Sequence, residues 1–285
     1  MKIPKRLQPL MEDGLIDQVV SQLMSGKEAN VYVVRCGDSL RAAKVFKEAS
    51  KRSFKQAVQY QEGRKVRNSR RARAMAKKTR YGQKEQEDAW LNAEVDALYR
   101  LDSAGVRVPR PHGFVDGVLL MDLITDADGD VAPRLDDVTL TAEQARDYHA
   151  QVIADVVRML AAGLIHGDLS EFNVLLDAQG PVIIDLPQAV NAAGNNSAEA
   201  LFMRDVNKMR AYFGRFAPEL LETRYASEIW ARYESGALNS DSVFSGKFAE
   251  PENPADVEDL MAVIDDVWLE EEDRLARERD DDYED

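Results

Sequence analysis

The stretch that decides the fold is Ile165–Leu176, which reads Ile-His-Gly-Asp-Leu-Ser-Glu-Phe-Asn-Val-Leu-Leu. It starts with an apolar residue, continues as a polar loop and ends as an apolar strand. A second apolar strand, residues 182–184, follows and ends at Asp185. The pattern predicts a β-hairpin that carries Asp168, Asn173 and Asp185 on its loops. The alternative interpretation is a hairpin whose Asp and Asn side chains only satisfy their own turns.

The spacing of these polar residues suits one chemistry. Oxygens of Asn173 and Asp185 are ligands that Mg²⁺ prefers, with Mn²⁺ as an alternative ion. Asp168 can accept a proton from, or orient, a group that attacks a phosphate. An Asn five residues after an Asp, followed by a carboxylate at a strand end, matches the catalytic and metal loops of kinases. His166 is expected to hold the loop by a bond to the backbone.

A predicted phosphate site lies upstream. The turn Ser25-Gly26-Lys27-Glu28-Ala29-Asn30 joins two apolar strands and offers backbone N–H groups and a cation to phosphates. It is neither a Walker A loop nor a G-x-G-x-x-G loop, and a plain hairpin is the alternative. Lys44 lies in the apolar strand Leu40–Phe46, where a lysine needs an ionic partner. Glu94 borders the apolar face of a predicted helix over residues 90–101 and is the candidate partner; a solvated Lys and Glu are the alternative.

The join between two lobes is predicted near residue 121. Phe114–Met121 reads as a hairpin with an Asp-Gly turn, and polar residues follow it. In a two-lobed kinase the backbone of Met121 and Leu123 would face the adenine. A capping-box-like start at Thr141 predicts a helix to about residue 162, and the predicted catalytic loop follows directly after this helix. The predicted nucleotide-binding residues are Ser25, Gly26, Lys27, Glu28, Ala29, Asn30, Lys44, Glu94, Met121 and Leu123.

Composition indicates a cytoplasmic protein. The 285 residues suffice for one two-lobed domain or two small ones. Cys36 is the single cysteine, which excludes an internal disulfide framework and suits a reducing compartment. The N-terminus lacks an apolar signal core, and no apolar run approaches ~18 residues, so no membrane contact is expected. The first 20 residues are too few for a separate DNA-binding domain.

Charge is unevenly distributed along the chain, whose net charge is −14. Arg64–Arg80 contains nine Lys and Arg residues and no acid, whereas residues 270–285 contain ten acids against three arginines. The basic run is a candidate contact for RNA or a ribosomal partner. Ser69 and Thr79 within it are candidate phosphoacceptors. The acidic tail could fold back on the basic run as a mimic of nucleic acid, and two solvated segments without mutual contact are the alternative interpretation.

These observations predict an α+β protein with a two-lobed protein-kinase-like fold, a small β-rich N-lobe and a mainly helical C-lobe. The predicted segments are an N-terminal lead-in helix (1–20), the N-lobe (21–121) with a basic insertion (50–87), the C-lobe (122–225) and a C-terminal helical extension with an acidic tail (226–285). Ala198–Asn207 reads as helix, so Asp185 has no room after it for a long activation segment.

The chain resembles the RIO family of atypical serine protein kinases. The resemblance covers roughly residues 20–215 and is carried by Ser25–Tyr32, Ala43–Val45, 90–94, Ala132–Leu135, His166–Asn173 and Ile183–Asp185. The short N-terminus is similar to the compact subgroup that lacks an N-terminal winged helix.

The resemblance implies ATP as the nucleotide, with Lys44 on its phosphates and Glu94 orienting Lys44. It implies Asp168, Lys44 and Asp185 as catalytic residues, and Asn173 and Asp185 as ligands of Mg²⁺. Family members typically phosphorylate serine. Some form a phosphoaspartate at the metal-loop aspartate and turn over as ATPases, and cellular members of the compact subgroup act in maturation of the small ribosomal subunit.

The sequence departs from the family pattern in two places. Pro187 stands where the family often has Ser, and its fixed φ and missing N–H predict a local difference in the metal loop. The acidic extension from about Tyr225 is not covered by the resemblance.

Two other functions stay open. One is a nucleotide-switched ATPase module that binds RNA or the ribosome through Arg64–Arg80. The other is a small-molecule kinase of the aminoglycoside or choline kinase type, which shares His-Gly-Asp but usually continues with a different stretch from Ser170–Asn173. The substrate otherwise is an unknown protein or the chain itself.

Overall fold

The computed structural model describes residues 3–26, 29–47 and 93–249. The predictions for Lys27, Glu28, the basic insertion 50–87 and the acidic tail lie outside these residues. So do residues 90–92 at the start of the helix predicted to carry Glu94.

The N-lobe is built on a five-stranded antiparallel sheet with strand order β1-β2-β3-β5-β4. Its strands are β1 (Gln18–Ser25), β2 (Ala29–Cys36), β3 (Ser39–Phe46), β4 (Pro111–Val115) and β5 (Val118–Asp122). In the central strand β3, Lys44 pairs with Val31 on one side and Leu119 on the other. The backbone on both sides therefore fixes the position from which the Lys44 side chain leaves the sheet.

A tight turn joins β4 to β5, as the sequence predicts. Asp116 and Gly117 both have positive φ, at 49° and 74°. Two successive left-handed residues form the turn type that matches the twist of an antiparallel pair. This turn also contacts the start of the chain, since the Arg6 guanidinium lies against Gly117 and donates to the Phe46 carbonyl at 2.8 Å.

The N-terminal segment covers one face of this sheet. It contains a 3₁₀ turn (Lys5–Leu7) and helix α1 (Gln8–Glu12), and its buried residues Leu7, Leu10 and Ile16 pack with those of β2, β3 and β5. The predicted lead-in helix over residues 1–20 is therefore too long. Gly14 adopts φ +73° just after the helix ends, and the chain becomes a strand at Gln18.

The other face of the sheet receives helix α2, residues 93–103. Its buried residues Val95, Leu98 and Leu101 belong to the same apolar cluster as Phe46 and Leu119 of the sheet. Glu94 comes directly before Val95, so the helix carries its carboxylate to the sheet face beside Lys44.

The C-lobe is mainly helical. Its elements are α3 (Ala142–Ala161), α4 (Ala198–Gly214), α5 (Tyr225–Glu234), the hairpin β7 (Val174–Asp177) and β8 (Gly180–Ile183), and the short pair β6 (Leu164–Ile165) and β9 (Val190–Asn191). Four 3₁₀ turns complete it: Leu135–Asp137, Glu171–Asn173, Ala192–Gly194 and Pro218–Glu222. Thr141 and Gln144 form the predicted reciprocal capping box of α3. The predicted two-lobed α+β fold is confirmed.

Helix α5 packs into the core of the C-lobe, with Ile229 and Trp230 buried against Phe202 and its neighbours. The predicted C-lobe boundary at residue 225 coincides with the first residue of this helix, and the packing continues beyond it. Glu228 of α5 also accepts the backbone N–H of Gly246 at 2.7 Å, which fastens residues 245–246 to the lobe. Among the residues described, no helix is both long and apolar enough to cross a membrane.

Candidate active site

Lys44 joins three parts of the chain. Its Nζ donates to Glu94 Oε1 at 2.6 Å and to Asp185 Oδ1 at 2.9 Å. These partners are 50 and 141 residues away in sequence. The Glu94 side chain is 5% exposed, whereas that of Asp185 is 47% exposed. The predicted Lys44–Glu94 contact is thus present, and about half of the Asp185 side chain is accessible to solvent.

The electrostatics of Lys44 and Asp185 favour the charged form of each side chain. Burial on its own lowers the pKa of Lys44, but the carboxylates of Asp185 and Glu94 outweigh it, and the pKa lies well above its ordinary value. For Asp185 burial raises the pKa, yet the Lys44 ammonium more than offsets it and the pKa is lowered. The site therefore holds a permanent cation between two carboxylates at neutral pH.

Asp185 follows β8 and has φ +65°, a left-handed conformation that a non-glycine residue rarely adopts. Ile184, the residue before Asp185, is bonded through both its N–H and its carbonyl. The Ile184 N–H donates to the Asn173 carbonyl at 2.9 Å, and the Ile184 carbonyl meets His166 Nε2 at 3.0 Å. His166 thus bonds to the backbone, as predicted. It connects the loop from His166 to Asn173 (the catalytic loop) to the loop that begins after β8 and carries Asp185 (the metal loop).

Asn173 and Asp185 leave oxygens available for a cation. The Asn173 amide nitrogen donates to the Asp168 carbonyl at 2.9 Å, so its Oδ1 is the remaining acceptor. Lys44 engages only Oδ1 of Asp185. Within the described ranges, no three His, Cys, Asp or Glu side chains are grouped to hold a metal on their own. Two protein oxygens suit Mg²⁺ bound together with substrate phosphates and water.

A buried carboxylate that the sequence reasoning missed anchors the catalytic loop. Asp205 of α4 is 2% exposed, and it accepts the Gly167 N–H at 2.7 Å and the Leu169 N–H at 3.2 Å. These two residues flank Asp168. Arg204 donates to the Gly167 carbonyl. Burial raises the pKa of Asp205 despite the Arg204 charge and the two N–H donors. Helix α4 therefore determines where the Asp168 backbone lies.

The Asp168 carboxylate faces two side chains. Lys208 Nζ of α4 lies 3.6 Å from its Oδ1, and Gln188 Nε2 donates to its Oδ2 at 3.4 Å. The sequence reasoning missed Lys208 as well. Gln188 comes from the segment after Asp185, so its bond to Asp168 is a second contact between the metal loop and the catalytic loop, in addition to that of His166.

The segment after Asp185 is closed by a single turn. The Ala189 N–H donates to the Leu186 carbonyl at 3.1 Å, which places Pro187 second in the turn. Proline suits this position because its φ is preset and no N–H is needed there. Strand β9 and helix α4 follow at once, so the prediction that there is no long activation segment is confirmed.

Of the remaining predicted nucleotide residues, those that the structure describes lie at the ends of β1 and β2 and at the hinge, the segment that leaves β5 after Asp122. In the β1–β2 loop, the Gly26 N–H donates to the Ala29 carbonyl at 2.9 Å and Ser25 Oγ donates to Asn30 Oδ1 at 2.9 Å. Met121 lies in β5 and Leu123 directly after it, where the chain passes to the C-lobe. The structure brings Lys44, Glu94, Asp168, Asn173 and Asp185 together, with the β1–β2 loop and the hinge on the N-lobe side.

Comparison with known proteins agrees with this geometry. A family model described as the RIO domain matches residues 30–238, well over half of the chain. The chain belongs to the RIO kinase family. Its RIO domain thus includes Lys44, the hinge, both aspartate loops and helices α3 to α5. The predicted family and the predicted class of enzyme, a RIO-type serine/threonine-protein kinase, are confirmed at this level.

Curated RIO proteins from archaea and eukaryotes are similar to this chain. The RIO-type serine/threonine-protein kinase Rio1 of Haloferax volcanii is 33% identical over 208 residues, which is 72% of this chain and 67% of the relative. The serine/threonine-protein kinase RIO1 of Homo sapiens is 32% identical over 227 residues, 77% of this chain and 37% of the relative. The Rio2 protein of Methanocaldococcus jannaschii is 28% identical over 215 residues, 72% of this chain and 71% of the relative. The chain thus spans well under half of the human protein.

Proposed function

We propose that this RIO domain transfers the γ-phosphoryl group of ATP, with Mg²⁺, to a serine or threonine hydroxyl of a protein or of the chain itself, or to water as an ATPase. The contact of Lys44 with both Glu94 and Asp185 carries the proposal. A buried lysine held between a helix carboxylate and a strand-end carboxylate is the arrangement that protein kinases use to position phosphates.

In this proposal Lys44 binds the phosphates of ATP, and Glu94 keeps its ammonium in place. The β1–β2 hairpin, Ser25 to Asn30, borders the phosphates from the N-lobe side, and the backbone of Met121 and Leu123 receives the adenine. Mg²⁺, or Mn²⁺ in its place, would be held by Asn173 Oδ1 and Asp185 and would neutralise phosphate charge.

Asp168 orients the acceptor hydroxyl and receives its proton. The acceptor oxygen forms a bond to the γ-phosphorus while the bond from that phosphorus to the β,γ-bridging oxygen breaks, and ADP leaves with that electron pair. If Asp185 is the acceptor, its carboxylate oxygen forms the new bond, no proton is transferred, and water later hydrolyses the acyl phosphate. Either way, the chain contributes chiefly by positioning and by charge stabilisation.

The choice of acceptor is expected to differ from that of ordinary protein kinases. Residues 186–189 form one turn and β9 follows directly, so the chain offers no activation segment on which a peptide could dock. This favours an acceptor on the chain itself or on a folded partner. An RNA or ribosomal partner bound through Arg64–Arg80 and a cytoplasmic location remain predictions of the sequence.

The test is incubation with γ-labelled ATP and Mg²⁺, followed by mapping of the label and its stability in acid and base. A phosphoester on a residue such as Ser69 survives acid and is lost by elimination in base, whereas an acyl phosphate on Asp185 is hydrolysed in both acid and base. We expect Asp168→Ala to abolish both autophosphorylation and ATP turnover while ADP·Mg²⁺ binding and the melting temperature persist. Asp147→Asn, an exposed aspartate on α3, is the matched control. Activity retained by Asp168→Ala would disprove the proposed role.

A further inference from the structure

The two aspartates of the candidate site each face a lysine from a different lobe. Lys44 of β3 lies 2.9 Å from Asp185, and Lys208 of α4 lies 3.6 Å from Asp168. The Lys44 contact belongs to the proposed nucleotide site. The Lys208 contact has no assigned role, although it touches the carboxylate proposed to receive the acceptor proton.

The catalytic loop itself supplies no cation to this carboxylate. Between Asp168 and Asn173 the loop reads Leu-Ser-Glu-Phe, which contains no lysine or arginine. Within the described ranges, the ion pairs of the site bring only Lys208 within 4 Å of Asp168. A positive charge beside Asp168 therefore depends on α4 rather than on the loop.

Helix α4 holds Lys208 in a defined position. Lys208 is three residues after Asp205, so both side chains project from the same face of the helix. Asp205 is bonded to the backbone on both sides of Asp168, at 2.7 and 3.2 Å. The same helical turn thus fixes both the loop and the cation that faces its carboxylate. The Lys208 side chain is only 15% exposed, which limits screening of its charge by water.

The distances connect this cation with the reaction. An acceptor hydroxyl has to come within ~2.6–3.2 Å of Asp168 for proton transfer. Gln188 Nε2 is bonded to Oδ2 and the Lys208 ammonium lies near Oδ1, so both carboxylate oxygens have a neighbour that restrains rotation. Small displacements of a reacting group cost large factors in rate.

We propose that Lys208 is a positioning residue for phosphoryl transfer, whose ammonium holds the Asp168 carboxylate toward the acceptor hydroxyl. This inference rests on the proposed function. It assigns to α4 the cation that the catalytic loop lacks, and it predicts that Lys208 acts through Asp168 rather than on ATP affinity.

The test compares Lys208→Met, Lys208→Arg and the surface control Arg146→Gln, whose guanidinium pairs with Glu219 at an exposed site. Single-turnover phosphoryl transfer, ADP·Mg²⁺ affinity and melting temperature are measured for each. We expect Lys208→Met to lower the transfer rate about 100-fold with nucleotide affinity changed less than about threefold. The transfer rate of Lys208→Arg is expected to be at least tenfold higher than that of Lys208→Met. Arg146→Gln is expected to match the unmodified chain.

A double-mutant cycle separates positioning from a merely structural ion pair. Asp168→Asn keeps the shape of the side chain and one oxygen that can orient the acceptor, so a residual rate remains for long single-turnover time courses. In that background Lys208→Met is expected to cost no more than about twofold, since its effect passes through the Asp168 charge. A Lys208→Met rate within threefold of the unmodified chain, no rescue by arginine, or a full additional loss in the Asp168→Asn background would each overturn the inference. If the unmodified chain transfers no phosphate at all, the proposed function fails and the inference fails with it.

Discussion

Substitution of Asp205 by alanine tests whether helix α4 controls the catalytic loop. The change removes the acceptor for two buried N–H groups, those of Gly167 and Leu169. A buried donor left without a partner costs about 1–3 kcal/mol, so the two together cost roughly 2–6 kcal/mol. Burial already raises the pKa of Asp205, so removal of the carboxylate regains part of this cost. We expect a net loss of about 2–4 kcal/mol in the free energy of unfolding.

The effect on the rate has a separate cause. Both lost bonds flank Asp168, so the loop backbone gains freedom at the residue that we propose orients the acceptor. A misplacement of about 1 Å is expected to lower the transfer rate about 100-fold in molecules that remain folded. The measurements are urea unfolding for stability and single-turnover transfer at a temperature where the variant is fully folded.

Asp155→Ala is the matched control. Asp155 is also buried in the C-lobe, burial also raises its pKa, and it accepts from Arg158 at 2.8 Å without contact to the catalytic loop. We expect it to lower stability while leaving the single-turnover rate within threefold. If Asp205→Ala keeps the full rate, or if Asp155→Ala loses as much rate as Asp205→Ala, the anchoring role of Asp205 is refuted.

Two further substitutions test buried polar groups. Burial and the nearby Arg210 charge lower the pKa of His149 to about 4 from an ordinary 6.5, so its stabilising contribution is complete above pH 6.5 and is lost as the pH falls toward 4. Between pH 7 and 4 we expect the free energy of unfolding of the unmodified chain to fall about 3 kcal/mol more than that of His149→Gln. Urea unfolding at each pH measures both. An equal dependence of the two unfolding free energies on pH would contradict this. Glu94→Gln keeps the shape of the side chain but removes one of the two charges beside Lys44, so the rate of phosphoryl transfer from ATP is expected to fall at least tenfold and the melting temperature to fall as well. An unchanged rate would show that Glu94 does not position Lys44 for transfer.

Some site residues could be identified from the sequence because a charged side chain stands within an apolar pattern. Lys44 stands in an apolar strand and therefore needed a partner, and Glu94 was the candidate because it lies beside an apolar helix face. The catalytic loop was readable because Asp168 and Asn173 are only five residues apart. The hairpins β1–β2 and β4–β5 were readable for the same reason, since each joins strands that are neighbours in sequence. The pairing of β3 with β5 was not predicted, because α2 and β4 lie between these strands in the chain.

Asp205 and Lys208 were missed because their partners are distant in sequence, 36 to 40 residues away. A signal for Asp205 was nevertheless available. Leu201, Asp205 and Met209 recur every four residues on one face of α4, and the two apolar members are buried. A carboxylate on such a stripe requires hydrogen-bond donors from elsewhere. Lys208 carried no comparable signal, because a lysine beside an apolar stripe usually reaches solvent.

The geometry also shows why this domain functions without a long segment after Asp185. In this chain the metal loop is tied to the catalytic loop by the backbone bonds of Ile184, by His166 and by Gln188. Pro187 presets the turn that carries Gln188 back to Asp168. These ties fix the two aspartates relative to each other within the C-lobe itself. Between Asp185 and β9 the chain has no separate segment whose ordering could place these residues, so the loop contacts themselves hold the two aspartates in position.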